Sequence, residues 1–335
     1  MDRRRLAALA VAALLGLPAT AAAAAAPFGH ACTAQSGVRF CPTPDDAARV
    51  PTFDGVPLDV DVTLPATGDG PWPTIAMLHG FPGDKSAFEA PDAAGGGPAW
   101  RFHRNNVFYA QRGYAVVDYS SRGFGRSCGA PSSRTAGCER GWTHLFDQRF
   151  EARDTQYLLG RLVDEGIARP GALGVTGVSG GSAQALELAY LRNRIRLPDG
   201  RFALWRSPAG RRLAIAAAFP TWAVDDIVAG LLPNGRFLDF AIEPPESLSP
   251  LGVPNHAFIE ALLAVAQATG FVAPRGADPT ADLLAWKDLA DRGEPFGAAA
   301  LAAARQLAAF HGTPGWAACR RRCWCRTGGR TTCSR

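Results

Sequence analysis

Gly177-Val178-Ser179-Gly180-Gly181 decides how this chain is read. The four residues before it, Leu173-Gly174-Val175-Thr176, predict the end of a short buried strand, and Ser182-Ala183-Gln184-Ala185-Leu186-Glu187-Leu188-Ala189-Tyr190-Leu191 predicts a helix. A strand that turns into a helix through Gly-x-Ser-x-Gly lifts the serine hydroxyl above the sheet, where it can act as a nucleophile. The turn is tight, and a Cβ at either glycine would collide with the neighbouring strand or helix. The helix N-terminus behind Ser179 offers backbone N–H groups and a positive dipole to any oxyanion formed there.

The 335 residues suffice for one large α/β domain with its own core. The net charge of +5 is misleading, because the arginines of the two ends supply it. Without Arg3, Arg4 and Arg5, and without Arg320, Arg321, Arg322, Arg326, Arg330 and Arg335, the body is mildly acidic. An acidic body argues against a nucleic-acid partner.

Residues 1–26 predict an export signal: three arginines, an apolar stretch over 6–17, and small residues over 21–26. The apolar stretch is short for a membrane span, and no other segment is long enough for one. The arginine pair before Leu6 permits twin-arginine export as well as the general route. A secreted, periplasmic or otherwise extracytoplasmic location is therefore expected. In an oxidising compartment Cys32, Cys41, Cys128 and Cys138 become readable as disulfides. Of three pairings, Cys32–Cys41 with Cys128–Cys138 is the simplest. No histidine lies at ligand spacing to either pair, so no metal is expected, and no motif calls for a cofactor.

Residues 54–64 alternate from Val56 as a half-exposed strand should. Thr74-Ile75-Ala76-Met77-Leu78 is a continuous apolar run, as in a buried parallel strand, and leads into His79-Gly80-Phe81-Pro82-Gly83. Tyr114-Ala115-Val116-Val117-Asp118-Tyr119 predicts the next strand, followed by the glycine-punctuated loop Ser120-Ser121-Arg122-Gly123-Phe124-Gly125-Arg126-Ser127. That loop lacks the Gly-Lys-Ser/Thr of a phosphate-binding turn. An amphipathic helix is predicted over 144–164, with Glu151, Arg153, Asp154 and Arg161 on a solvated or salt-bridged face. Leu213-Ala214-Ile215-Ala216-Ala217-Ala218-Phe219-Pro220 predicts a further buried strand. Strands alternating with helices indicate a mostly parallel sheet with helices on both faces. From 221 to 311 the pattern becomes helical, over 257–268, 279–291 and 297–310, and predicts a cap of the kind that gates a pocket.

Taken together, the strand into His79-Gly80-Phe81, Gly113-Tyr114-Ala115-Val116-Val117 with Arg122-Gly123-Phe124-Gly125-Arg126-Ser127, the Glu151/Asp154 helix and the Ser179 turn resemble the Xaa-Pro dipeptidyl-peptidase and cocaine-esterase-like serine hydrolases. The similar stretch runs over about 54–222. The resemblance implies an α/β-hydrolase fold and cleavage of an ester or peptide acyl bond, with a small-molecule ester or peptide as partner. It implies Ser179 as nucleophile and the backbone N–H groups of Gly180 and Phe81 as oxyanion donors. Some relatives use a tyrosine hydroxyl in that first loop, where Phe81 offers only its N–H. The expected division is a signal over 1–26, an α/β-hydrolase core over 27–222, a helical cap over 223–311 and an atypical tail over 312–335.

A serine nucleophile needs a base and an orienting acid, which in this fold follow late strands. His79 is expected to shape its loop, His256 lies inside the cap, and Asp225, Asp226 and Asp239 come too early for the acid. His311 is the remaining candidate base. The expectation is that the last strands are missing and that turnover is impaired. The tail 315–335, with six arginines, four cysteines and no acid, is expected to be a frameshift product. The codons permit a second frame from the last base of Cys319, reading Pro-Ala-Pro-Leu-Leu-Val-Gln-Asn-Gly-Trp-Thr-Asp-Asp-Leu-Phe-Pro. The alternatives are a non-catalytic, secreted hydrolase-like binding protein and a basic tail that docks on an anionic surface.

Overall fold

The computed structural model describes residues 25–222, 224–233 and 251–313. The expected signal lies outside them except for its last two residues, as do Asp239 and all of the expected tail beyond Thr313.

Seven strands form one sheet: β1 (Thr33–Gln35), β2 (Val38–Cys41), β3 (Val60–Pro65), β4 (Trp72–Leu78), β5 (Ala115–Tyr119), β6 (Ala168–Val178) and β7 (Ile215–Thr221). Their spatial order is β1-β2-β3-β5-β4-β6-β7. β5, β4, β6 and β7 are parallel neighbours, while β1/β2, β2/β3 and β3/β5 pair antiparallel. Five strands thus point one way, and β1 and β3 the other, as the alternation of strands and helices predicts for a mostly parallel sheet. The β4–β6 pairing runs Thr74 opposite Leu173 to Leu78 opposite Gly177, which brings the His79 loop beside the Ser179 turn.

The helices are α1 (Asn106–Ala110), α2 (Glu151–Asp164), α3 (Gly180–Leu191), α4 (Ile227–Leu231), α5 (His256–Thr269), α6 (Leu283–Arg292) and α7 (Ala298–Phe310). α5 to α7 fall close to their predicted spans. Among the described residues no helix is long and apolar enough to cross a membrane. The disulfides are Cys32–Cys41 and Cys128–Cys138, the pairing preferred from the sequence.

Three expectations need correction. β7 is largely exposed rather than buried: it is an edge strand of the described sheet, Ile215 alone in it is buried, and Phe219 is 61% exposed. β3 is buried along its whole length rather than half-exposed. Its polar positions are covered: Lys85 Nζ reaches Asp61 Oδ1 at 2.6 Å, and Asn106 donates to the Thr63 hydroxyl at 3.0 Å. The predicted helix over 144–164 begins only at Glu151. Leu145 and Phe146 have φ of +61° and +64°, which no right-handed helix accommodates. The Glu151 carboxylate reaches back and accepts the N–H of His144 at 2.7 Å and of Asp147 at 3.0 Å, so it holds a loop where periodicity predicts two more helical turns.

On the charged face of α2, expected to be solvated or salt-bridged, Glu151 and Asp154 are buried and Asp154 is salt-bridged, while Arg153 and Arg161 are partly exposed. Asp154 is fully buried and receives both Nε and Nη2 of Arg122, at 2.7 and 2.6 Å. Arg122, itself fully buried, also donates Nη1 and Nη2 to Asp54, at 2.8 and 3.0 Å. One guanidinium therefore ties the loop after β5 to α2 and to the strand-entry turn at Asp54. Burial opposes all three charges. Even so, the paired carboxylates hold the Arg122 proton more tightly than usual, and the guanidinium keeps Asp54 below the ordinary range. Burial outweighs it at Asp154, whose carboxyl is pushed up to about 6.

Removing one partner from such a network strands the others without compensation. Arg122→Met is expected to lower the urea unfolding free energy by about 3–5 kcal/mol. A loss below about 1 kcal/mol would show that the bridge does not organise the fold.

Candidate active site

Ser179 sits between β6 and α3 with φ +53° and ψ −119°, a strained backbone for a residue other than glycine. The surroundings over-determine it. Its N–H donates to Thr221 O of β7 at 3.1 Å, and its carbonyl accepts Ser182 N–H and Ala183 N–H at 2.9 and 3.2 Å. Arg104 donates to Gly177 O at 3.0 Å and also to the Thr221 hydroxyl, locking the two strand ends together.

The glycines are required by close approach. A Cβ on Gly177 would stand 2.1 Å from Gly181 O, and one on Gly181 would stand 2.1 Å from Leu78 O and 2.5 Å from His79 O. A Cβ on Gly180 would meet the Phe146 ring at 2.0 Å.

Ser179, Gly180 and Phe81 line one cavity of about 320 Å³, together with His311. Neither the Gly180 nor the Phe81 N–H is used in a backbone hydrogen bond among the described residues. The Phe81 ring is fixed edge-on against Phe124 and Phe146, with centroids 5.1 and 5.9 Å away. Its loop is set by His79, as the sequence predicts. Buried His79 accepts the Ser121 N–H on Nε2 at 2.9 Å, so Nδ1 carries the proton and donates to Gly80 O at 2.8 Å. Both nitrogens are thereby occupied. Burial lowers the pKa of the ring and keeps it neutral, a structural histidine and not a base.

His311 is buried and edge-on to Trp286 at 5.8 Å. Its Nδ1 donates to Leu145 O at 2.9 Å. Its Nε2 stands 3.3 Å from Asp147 Oδ2 without hydrogen-bond alignment. Both partners are acceptors, and no hydrogen bond joins His311 to Ser179 among the described residues. Burial lowers the pKa of this ring as well. Ser179, Gly180, Phe81 and His311 thus share one cavity, but the imidazole is turned to Leu145 and Asp147. His256 lies elsewhere, exposed and paired with Asp291 at 3.3 Å, and Asp226 caps α4 by accepting the Ala229 N–H at 3.0 Å. No group of three or more His, Cys, Asp or Glu residues among those described could hold a metal ion.

Sequence reasoning missed Leu145, Phe146 and Asp147. The first two are apolar and fall within the helix that periodicity predicts over 144–164. The available signal was Glu151, a reach-back acceptor for the loop before its own helix.

Beneath the site lies Glu187 of α3, fully buried, with neither carboxyl oxygen hydrogen-bonded among the described residues. Desolvation raises its pKa well above the ordinary 4.5, and the nearby Asp147 and Glu151 carboxylates raise it further. Burial likewise pushes Glu151 up to about 8. A carboxyl whose folded pKa exceeds its unfolded one contributes full stability below the unfolded value and loses it as pH rises toward the folded value. Unfolding free energy is expected to fall between pH 5 and pH 9, and Glu187→Gln to flatten that slope. An unchanged slope in the variant would show that Glu187 is ionised in the folded protein. For the turn, Gly181→Ala is expected to cost about 1–3 kcal/mol more than Gly180→Ala by thermal unfolding, because it meets backbone and not a movable ring. Equal costs would contradict the close approach of α3 to β4.

Residues 54–193 match the family model of X-Pro dipeptidyl-peptidase (S15 family). No curated protein sequence matches the chain. Solved structures similar to it include a study of two prolyl endopeptidases (16% identity, TM-score 0.31, covering 47% of this chain and 19% of that one). Esterase B from Lactobacillus rhamnosis is 17% identical, with TM-score 0.29, over 48% of this chain and 42% of the other. A CocE/NonD family hydrolase from Staphylococcus aureus is 18% identical, with TM-score 0.30, over 46% and 25%. The chain thus spans less than half the length of each. Over residues 54–193 the strand order, the Ser179 turn and the family match agree, and this part of the chain is an α/β-hydrolase core similar to the X-Pro dipeptidyl-peptidase (S15) family.

Proposed function

We propose that the chain is an exported serine hydrolase in which Ser179 attacks the carbonyl of an ester or peptide. The observation that carries this reading is the strained Ser179 backbone, held by β7 and α3 at the wall of a cavity. The Gly180 and Phe81 N–H groups would receive the oxyanion as the tetrahedral intermediate forms. A donor of that kind is typically worth about 3 kcal/mol of barrier. The helices α4–α7, in this reading, are a cap over the site. Two disulfides support an oxidising compartment.

Turnover by this chain is low in the same reading. A serine hydroxyl needs a hydrogen-bonded base, and the His311 nitrogens face Leu145 O and Asp147. That observation also favours a second reading, a hydrolase-like binding protein that uses the cavity without chemistry.

A fluorophosphonate probe on the purified full chain separates the two. Slow labelling, at least 100-fold below that of an efficient serine hydrolase and abolished by Ser179→Ala, is expected. Labelling that survives Ser179→Ala would remove Ser179 as nucleophile, and rapid Ser179-dependent labelling would show that a base is engaged. No labelling, with intact ligand binding, would favour the binding protein.

A further inference from the structure

The cavity wall is almost uniformly apolar. Leu145 and Phe146 form the side next to the serine, and Leu231, Ile259, Leu263 and Trp286 come from α4, α5 and α6. Among the described residues that line it, only Ser179, His311 and Lys287 carry a hydrogen-bonding or charged side-chain group besides the Trp286 indole. Among the described residues, no aspartate or glutamate lines it. Lys287 Nζ is held by Glu260 at 2.7 Å and Asp291 at 2.5 Å, so it contributes a positive group whose acidic partners are already engaged. Asp147 lies against His311 and not on the cavity wall, and its carboxylate is bound by Arg149, with Nε 2.9 Å from Oδ1.

These facts bear on which substrate the site can hold. A substrate that loses an N-terminal dipeptide brings an ammonium group within two residues of the scissile carbonyl. Burying that charge is costly unless a carboxylate meets it, and the described wall presents no carboxylate. An aliphatic chain needs no polar partner, and a volume of about 320 Å³ falls in the range of small-molecule sites.

We propose that the cavity beside Ser179 receives the uncharged, medium-length acyl chain of an ester or amide and disfavours an Xaa-Pro amino terminus. This rests on the hydrolase reading for the identity of the bond cleaved, but the selection for an apolar group belongs to the wall itself. Each methylene buried adds about fourfold in affinity until the cavity is filled.

The test is isothermal titration of the full chain, and of its Ser179→Ala variant, with butanamide, hexanamide and octanamide, and with Ala-Pro amide. Affinity is expected to rise about fourfold per methylene from butanamide to octanamide. Ala-Pro amide is expected to bind at least tenfold more weakly than octanamide. Leu263→Asp should reduce octanamide binding more than tenfold and improve Ala-Pro amide. Leu263→Trp, which fills the cavity without adding charge, should weaken octanamide and leave Ala-Pro amide weak, with circular dichroism verifying that each variant is folded. Affinity independent of chain length, or Ala-Pro amide binding as tightly as octanamide, would overturn the proposal. Because Ser179→Ala leaves the apolar wall intact, chain-length-dependent binding without Ser179 labelling would remove only the nucleophile. Ser179 labelling combined with a preference for Ala-Pro amide would remove only the acyl-chain assignment.

Discussion

The Arg122 guanidinium is the constraint on which the rest of the structure depends. It is fully buried, and its bonds to Asp154 and Asp54 join the loop after β5 to α2 and to the turn that precedes β3. That loop then positions the next layer. Ser121 N–H fixes the His79 tautomer, His79 fixes Gly80 O, and the loop so held carries Phe81 to the cavity. Ser127 adds a second tie, accepting Asp59 N–H at 2.9 Å and donating to Ser120 O at 2.6 Å. A buried ion network of this kind stabilises weakly in absolute terms but is costly to break. It defines geometry more than it adds free energy.

The serine turn is held from the other side. Thr221 O, Arg104 and the three glycines leave Ser179 no relaxed alternative. Strain of this sort persists only where the surroundings enforce it. The two supports meet at Phe146. Its ring packs against Phe81, and a Cβ on Gly180 would collide with it. The loop over 144–150 therefore couples the Phe81-loop side of the cavity to the helix side, with Glu151 holding that loop in place.

Much of this was legible in the residues. Apolar runs gave β4, β5 and β7, and Gly-x-Ser-x-Gly gave the turn and both of its flanks. The cysteine spacing gave the disulfide pairing. Most of what the sequence concealed has one physical source, the burial of charged and polar side chains. Glu151 and Asp154 fit a solvated or a salt-bridged face alike, because periodicity cannot show that Arg122 arrives from 30 or so positions upstream to pair with Asp154. β3 looks half-exposed, because Asp61 and Thr63 alternate with valines and leucine, yet Lys85 and Asn106 cover them. Leu145 and Phe146 fit a helix by pattern and are excluded from it by left-handed backbone. At His311 the sequence could name a residue type and not the orientation of its ring.

The central claim is that Ser179, Gly180 and Phe81 form one acyl-transfer site beneath an apolar cavity. A crystal structure of the chain after prolonged reaction with an alkyl phosphonate tests it most directly. The account predicts phosphorus bonded to Ser179 Oγ, a phosphonyl oxygen about 2.7–3.1 Å from both the Gly180 and Phe81 nitrogens, and the alkyl chain against Phe146 and Leu263. A phosphonyl oxygen directed away from both N–H groups, or an adduct on another residue, would contradict it.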